Sequence, residues 1–156
     1  MKGLLVLAAA IVTAQIPEAT PENSGRILWS SGRVVVLDKE KTEIAVGQTL
    51  APPLPGERVF LILRDMSTRE QPGVVFRIYL HSSPGAETMI GSINFFNLAR
   101  SIDSTPGPAA GSVRRFEITD LARKLKGKMT ISIRASQSPE PRAEAKIGRL
   151  DVVVSR

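Results

Sequence analysis

Short apolar segments, separated by turns rich in proline and glycine, recur along most of the chain. Runs of five to nine residues with many aliphatic and β-branched side chains are typical of β-strands. Proline cannot donate a hydrogen bond to a sheet, so a segment such as "APPLPGE" separates one strand from the next. The sequence therefore predicts about eight short strands, which are Arg33–Asp38, Thr42–Val46, Arg58–Asp65, Gly73–His81, Thr88–Phe96, Ser112–Ile118, Lys128–Ala135 and Ile147–Ser155.

The pattern within two of these strands predicts how they are buried. The segment Arg58–Asp65 is apolar almost throughout, as expected of a strand that is covered on both faces. The strand that ends at His81 alternates instead, because successive side chains of a strand point to opposite faces. Its predicted apolar face carries Phe76, Ile78 and Leu80, and its predicted polar face carries Arg77, Tyr79 and His81.

Local signals add a hairpin, a bulge and a helix. The three residues "KEK" between the first two strands are a hairpin-length gap, and Gly91 is a candidate β-bulge. In "TDLARKLKG", Thr119 is a candidate helix cap, Leu121 and Leu125 share one apolar face, and Gly127 can end the helix. Many short strands with one short helix predict an all-β protein, either an antiparallel β-sandwich or a barrel.

The amino terminus has the pattern of a secretory signal. A lysine precedes the apolar run Leu4–Val12, and small residues precede Gln15. We expect residues 1–14 to be a signal peptide cleaved after Ala14, and the protein to be periplasmic or secreted. The run of about nine residues is shorter than the roughly 20 that a membrane-spanning helix needs. A buried amino-terminal helix or strand is the alternative. Residues 15–32, rich in proline and polar residues, are predicted to be a flexible lead-in to a domain at 33–156.

Composition limits the partners and the chemistry. The net charge of +6 favours acidic partners or an anionic envelope surface. The basic residues are spread along the chain with few aromatics between them, which argues against nucleic acid. The densest basic segment, Arg123–Lys128, is either a solvated helix end or a binding site. The chain contains no cysteine, which excludes disulfides, thiolate metal sites and a cysteine nucleophile.

No catalytic, cofactor-binding or metal-binding constellation is recognisable. His81 is the only histidine, and a metal site on it would depend on carboxylates or on the sulfurs of Met66, Met89 and Met129. We interpret His81 as the polar end of a strand. The carboxylate pairs, Asp38 with Glu40 and Glu57 with Asp65, are predicted to face water at strand ends. The sequence therefore predicts a protein that is not an enzyme, with no catalytic, cofactor or metal residues.

Several stretches, in order, resemble the carboxy-terminal domain of polyphenol oxidases and tyrosinases. The resemblance covers about residues 33–154 and rests on "ERVFLILRDMSTREQPGVVFRIYLHSSPGAE", "IGSINFF", "RRFEITDLARKLKG" and "AKIGRLDVVV". The segments "FEITDL" (Phe116–Leu121) and "KIGRLDV" (Lys146–Val152) are the most similar. Where plant members have Lys-Phe-Asp-Val, this chain keeps Phe76 but continues with Arg77 and Ile78. His81 stands where the family often has asparagine.

The resemblance implies a jelly-roll β-barrel that packs over the entrance of a type-3 copper centre. Such a domain keeps an oxidase latent or assists its folding, while six histidines of a separate helical domain bind the copper. A chain with one histidine cannot hold that centre, so no oxidase activity is carried over. Because the chain departs from the family pattern at Arg77, Ile78 and His81, no blocking residue is carried over either. The first hypothesis is an exported accessory protein of a separately encoded tyrosinase-like copper oxidase. The alternative is a stand-alone β-sandwich that binds an anionic envelope component or another protein.

Overall fold

A computed structural model of the protein describes residues 25–82, 86–96 and 112–156. The described residues form nine strands, one short α-helix and a 3₁₀ turn at Pro141–Ala143. In chain order they are β1 (Arg26–Ser30), β2 (Val35–Val36), β3 (Lys41–Thr49), β4 (Arg58–Ser67), β5 (Phe76–Ser82), β6 (Thr88–Ile93), β7 (Ser112–Glu117), α1 (Thr119–Lys124), β8 (Lys128–Ala135) and β9 (Lys146–Ser155).

The strands form two antiparallel sheets. Sheet A has the order β1-β9-β4-β7, with β2 also paired to β9, and sheet B has the order β3-β8-β5-β6. If β1 and β2 are taken as one interrupted strand, these two orders are those of an eight-stranded jelly roll. The prediction of an all-β sandwich of jelly-roll type, with about eight strands and one short helix, is confirmed. Among the described strands, only β5 and β6 are both consecutive in sequence and paired.

An aliphatic core fills the space between the sheets. The alternation predicted for β5 is confirmed, since Phe76, Ile78 and Leu80 are buried while the intervening side chains are exposed or partly exposed. Phe76 meets Phe95 edge to face, with ring centroids 5.6 Å apart. From sheet A the core receives alternate residues of β4 and β9, which are Val59, Leu61, Leu63, Met66, Ile147, Leu150, Val152 and Val154.

Contacts between edge strands join the sheets on both sides of the sandwich. On one side the ring of Phe116 in β7 lies against Gly91 in β6. The register of β5 and β6 shifts beside Gly91, which confirms the predicted bulge there. On the other side the amide Nε2 of Gln48 in β3 donates to the carbonyl of Leu28 in β1 at 2.6 Å.

Two predictions about the first strands are wrong. Residues 26–30, predicted to lie in a flexible lead-in, form β1, because Arg26–Ser30 pairs along β9 and half-buries Leu28 and Trp29 against the core. The segment Arg33–Asp38 does not form a hairpin with the next strand. Only Val35–Val36 is a strand, and it pairs with β9 of sheet A, whereas β3 belongs to sheet B. The residues "KEK" therefore lie where the chain passes from one sheet to the other.

The helix begins and ends differently from the prediction. Ile118 is its N-cap and makes no side-chain cap. Thr119 instead accepts a hydrogen bond on Oγ1 from the backbone N–H of Val59 at 3.0 Å, which ties the helix start to β4. Leu121 and Leu125 are only partly buried against the core, and Ala122 is the buried residue of this face. The helix ends at Lys124 with Leu125 as its C-cap, so Gly127, which has φ +89°, lies two residues beyond the cap and does not itself end the helix.

The predicted signal peptide (1–14), residues 15–24 of the lead-in, the turn at 83–85 and the loop at 97–111 lie outside the described residues. Within the described ranges, no helix is long and apolar enough to cross a membrane.

Candidate functional site

The outer face of sheet B carries the only tyrosine and the only histidine of the chain. Tyr79 is opposite Ser132 of β8 and Met89 of β6, and His81 is opposite Thr130. Arg134 crosses this face, with its guanidinium carbon 4.8 Å from the Tyr79 ring centroid. It donates to Glu87 at 2.6 Å. Tyr79 and His81 therefore belong to a polar sheet face and, as predicted, to the end of a strand.

The outer face of sheet B also carries an ion pair and two buried polar atoms without a hydrogen-bond partner among the described residues. Lys41 forms an ion pair with Glu43 at 2.7 Å, and it lowers the pKa of that carboxyl below its usual value. The Oγ of Ser132 and the Nε of Arg134 are buried and have no hydrogen-bond partner among the described residues. Among its described residues, this face has two unpaired polar atoms but no nucleophile hydrogen-bonded to a base.

The methionines do not join His81 in one site. Met66 and Met129 point into the core, from sheet A and sheet B respectively, whereas His81 is on an outer face. Met89 shares the outer face with His81 and is 49% exposed. In the described part of the chain, no three side chains of the usual metal-binding types come together.

The predicted carboxylate pairs do not form sites either. Glu57 and Asp65 lie at opposite ends of β4. Glu57 is buried, against the expectation that it faces water, and its Oε2 accepts from the backbone N–H of Leu54 at 2.9 Å. Asp38 and Glu40 are exposed, as predicted, and Glu40 accepts from the hydroxyl of Ser138 at 2.5 Å.

One end of the sandwich is strongly basic. Here the starts of β1, β4 and β8 meet the ends of α1 and β9, beside an open cavity of about 340 Å³ that Glu57 and Arg156 help to line. Three of the cations at this end are paired with Glu57, Glu117 and Asp120. The others have no ion pair within the described ranges. We call this surface the basic end; its residues are Arg26, Arg58, Arg123, Lys124, Lys126, Lys128 and Arg156.

The outer face of sheet A was not anticipated as a separate surface. Phe60, Ile62 and Val153 point away from the core, yet each is at most 7% exposed, and they form a second apolar cluster. Arg58 and Arg115 lie over the ring of Phe60. The predicted burial of β4 on both faces is therefore confirmed, although the outer cover is not a third layer of secondary structure among the described residues. We call this surface the arginine face; it consists of Arg58, Phe60, Ile62, Arg64, Arg115, Arg149, Asp151 and Val153.

A buried carboxylate holds two of these arginines. Asp151 is fully buried, and its Oδ2 accepts from the Nε of Arg64 at 2.8 Å and from the Nε of Arg149 at 3.1 Å. Its Oδ1 is buried without a partner among the described residues. A weak sequence signal exists for this surface, because Arg58 and Arg64 flank the apolar run of β4 at an even spacing and therefore lie on the same face of the strand. The pairing of β7 and β9 with β4, which brings the other arginines there, could not be inferred.

These features define a jelly-roll β-sandwich whose candidate functional regions are charged outer surfaces. No protein-family model matches the sequence, and no curated protein matches it. A solved structure of latent aurone synthase, a polyphenol oxidase, has a similar fold, with a TM-score of 0.51 and 11% sequence identity. The match covers 78% of this chain and 25% of that chain. At 11% identity this similarity shows only that the two chains share a fold, and the shared part is about a quarter of the oxidase chain.

Proposed function

We propose that the protein is an exported, non-catalytic accessory domain that covers the active site of a separately encoded type-3 copper oxidase. It would shield that site or assist the folding of the oxidase. The observation that carries the proposal is the fold similarity to a quarter of a latent polyphenol oxidase. The sequence motifs independently resemble the carboxy-terminal domain of the same family.

The positions of those motifs support a relationship in the fold. "FEITDL" supplies Phe116, which joins the two sheets, and Thr119, which ties α1 to β4. "KIGRLDV" lies in β9, the strand of sheet A that pairs with β1, β2 and β4. Phe116, Thr119 and the core residues of β9 serve packing and backbone pairing. We therefore propose that the partner carries out the oxidation and that this chain covers its active site.

Affinity capture tests the proposal. The full chain, tagged at its carboxy terminus, is expressed in its own cells, and proteins cross-linked to it in the envelope are identified. We expect a six-histidine copper oxidase whose diphenol oxidation rises when the complex is dissociated. Recovery without any such oxidase, or an oxidase equally active before and after dissociation, would contradict the proposal. The intact mass of the exported protein tests the signal peptide, since removal of residues 1–14 is expected.

The basic end favours a second candidate function, which is binding to an anionic envelope component. Lys124, Lys126 and Lys128 are exposed and have no ion pair among the described residues. Adjacent cations of this kind attract anionic surfaces, and the attraction weakens as salt rises. Cosedimentation with vesicles that contain anionic phospholipid, over a range of salt, measures it.

Charge reversal makes that measurement specific. Reversing all three lysines to glutamate should abolish binding to anionic vesicles. Reversing Arg33, Lys39 and Arg142, which are exposed elsewhere, changes the net charge by the same amount; this control should reduce binding less. Equal losses in the two variants would mean that net charge alone attracts the protein to the vesicles.

A further inference from the structure

The two outer faces of the sandwich differ in construction. The outward residues of a sheet without a covering layer are normally polar and hydrated. The outer face of sheet B follows this rule, with Arg77 exposed and Tyr79 and His81 partly exposed. The arginine face departs from it, because Phe60 and Ile62 are only 7% and 6% exposed, and two arginines lie over the Phe60 ring.

Arg115 is the cation on the arginine face that remains available. Its guanidinium carbon lies 3.5 Å from the centroid of the Phe60 ring. Arg58 pairs with Glu117, and Arg64 and Arg149 share Asp151. Arg115 forms no ion pair within the described ranges. A guanidinium held on an aromatic ring keeps N–H donors free for a carboxylate, with little side-chain entropy left to lose.

Apolar side chains at the margin of the same face extend it. Ile27 of β1 is opposite Val153 and is 54% exposed. Val113 of β7 is 46% exposed and lies beside the β4 bulge that follows Leu63. Interfaces between proteins combine arginine and aromatic anchors with apolar surroundings in this way.

We propose that the arginine face is a docking surface for an acidic patch of a partner protein, with Arg115 as its anchor. The four arginines of this face outnumber its two adjacent carboxylates, Glu117 and Asp151, both of which are already paired, so the surface favours a partner that brings carboxylates. The proposal rests on the proposed function in one respect, which is that the partner is the copper oxidase.

Site-specific photocrosslinking in the producing cells tests the face. The photoreactive amino acid benzoylphenylalanine replaces Ile27 or Val113 on the arginine face, or Met89 on the outer face of sheet B. Crosslinks to the oxidase from Ile27 and Val113, but not from Met89, are expected. Crosslinks to the oxidase from Met89 alone would overturn the docking face and leave the proposed function standing.

Binding measurements on charge variants of the purified protein test the role of Arg115. Against the crosslinked protein as the probe, Arg115→Glu should raise Kd by about tenfold or more. Arg77→Glu, on the opposite face, should change it less than about twofold. Arg115→Lys should fall between them, because lysine keeps the charge without the planar donors. Thermal unfolding shows whether each variant folds.

The outcomes separate the two proposals. A crosslinked partner other than an oxidase, with binding that Arg115→Glu weakens and Arg77→Glu does not, would support the docking face and contradict the proposed function. Equal effects of the two reversals, or no crosslink from Ile27 and Val113, would overturn the docking face.

Discussion

Phe116 of β7 packs on the backbone of Gly91 of β6, and this contact joins the two sheets along one side of the sandwich. A Cβ atom at position 91 would lie 2.7 Å from Cδ1 of the Phe116 ring, well inside normal contact distance. The ring therefore occupies the space that any other residue at position 91 would need.

Gly91→Ala should destabilise the protein by about 1–3 kcal/mol, the usual cost of overpacking. Denaturant unfolding measures the change. Gly47→Ala is the matched control, since a Cβ at that position of β3 meets no atom within 4 Å. The control should stay within about 0.5 kcal/mol. Similar values for both variants would show that the Phe116 ring moves aside without cost.

The strand Lys128–Ala135 and the strand around Trp29 show which parts of this fold the sequence can predict. Strands with a clear apolar pattern, such as Lys128–Ala135, were found with their correct bounds, because the period of two is a local property. The strand around Trp29 was missed, since its burial depends on β9, more than 100 residues later. The hairpin predicted at "KEK" is wrong for the same reason. The sheet that β2 or β3 joins is set by its pairing with β9 or β8, which are distant in sequence.

Some of the candidate surfaces can be predicted from the sequence and others cannot. The polar face of β5 and the exposure of the basic segment after α1 follow from local pattern. The arginine face does not, because Arg64, Arg115 and Arg149 come from three strands that only the tertiary pairing brings together. The burial of Asp151 likewise has no local signal, since an aspartate in an apolar strand is normally expected to face water.

Asp151→Asn should reduce the free energy of unfolding by about 1.5–3 kcal/mol, the range for hydrogen bonds to charged groups. The substitution keeps the shape of the side chain and removes the charge that Arg64 and Arg149 share. Asp120→Asn is the control, because the Arg123–Asp120 pair is exposed. Its effect should be below about 1 kcal/mol. If the Asp151 variant lost no more than the control, the buried ion pair would not stabilise the fold.

The carboxyl of Glu117 should titrate below 4.5, its ordinary value. Arg58 lowers this pKa, chiefly through its hydrogen bonds from Nε to Oε1 and from Nη2 to Oε2, and the Thr119 hydroxyl lowers it further. Because the folded-state pKa is depressed, the ionised carboxyl stabilises the fold above the unfolded pKa. That contribution is lost as the pH falls through the folded pKa.

Carbon-detected NMR of the Glu117 carboxyl follows this titration. Arg58→Gln should move the midpoint up towards 4.5, whereas Arg77→Gln, on the other sheet, should leave it unchanged. If Arg58→Gln left the titration midpoint of Glu117 unchanged, the ion pair would not form in solution.

The purified chain should retain no stoichiometric copper after dialysis. One imidazole does not satisfy the preference of Cu(II) for several nitrogen and oxygen donors, and Met66 and Met129 are in the core. His81→Ala should therefore leave the fold and partner binding nearly unchanged. Elemental analysis decides the matter: one equivalent of copper that disappears in the His81→Ala variant would make His81 the centre of the function.

The central place of β9 in sheet A has a consequence for when the protein can fold. Until residues 146–155 have left the ribosome, β1 and β2 have no partner strand and β4 is paired on one side only. Pairings between distant segments also form slowly. A nascent chain of this topology cannot complete sheet A until β9 has been synthesised.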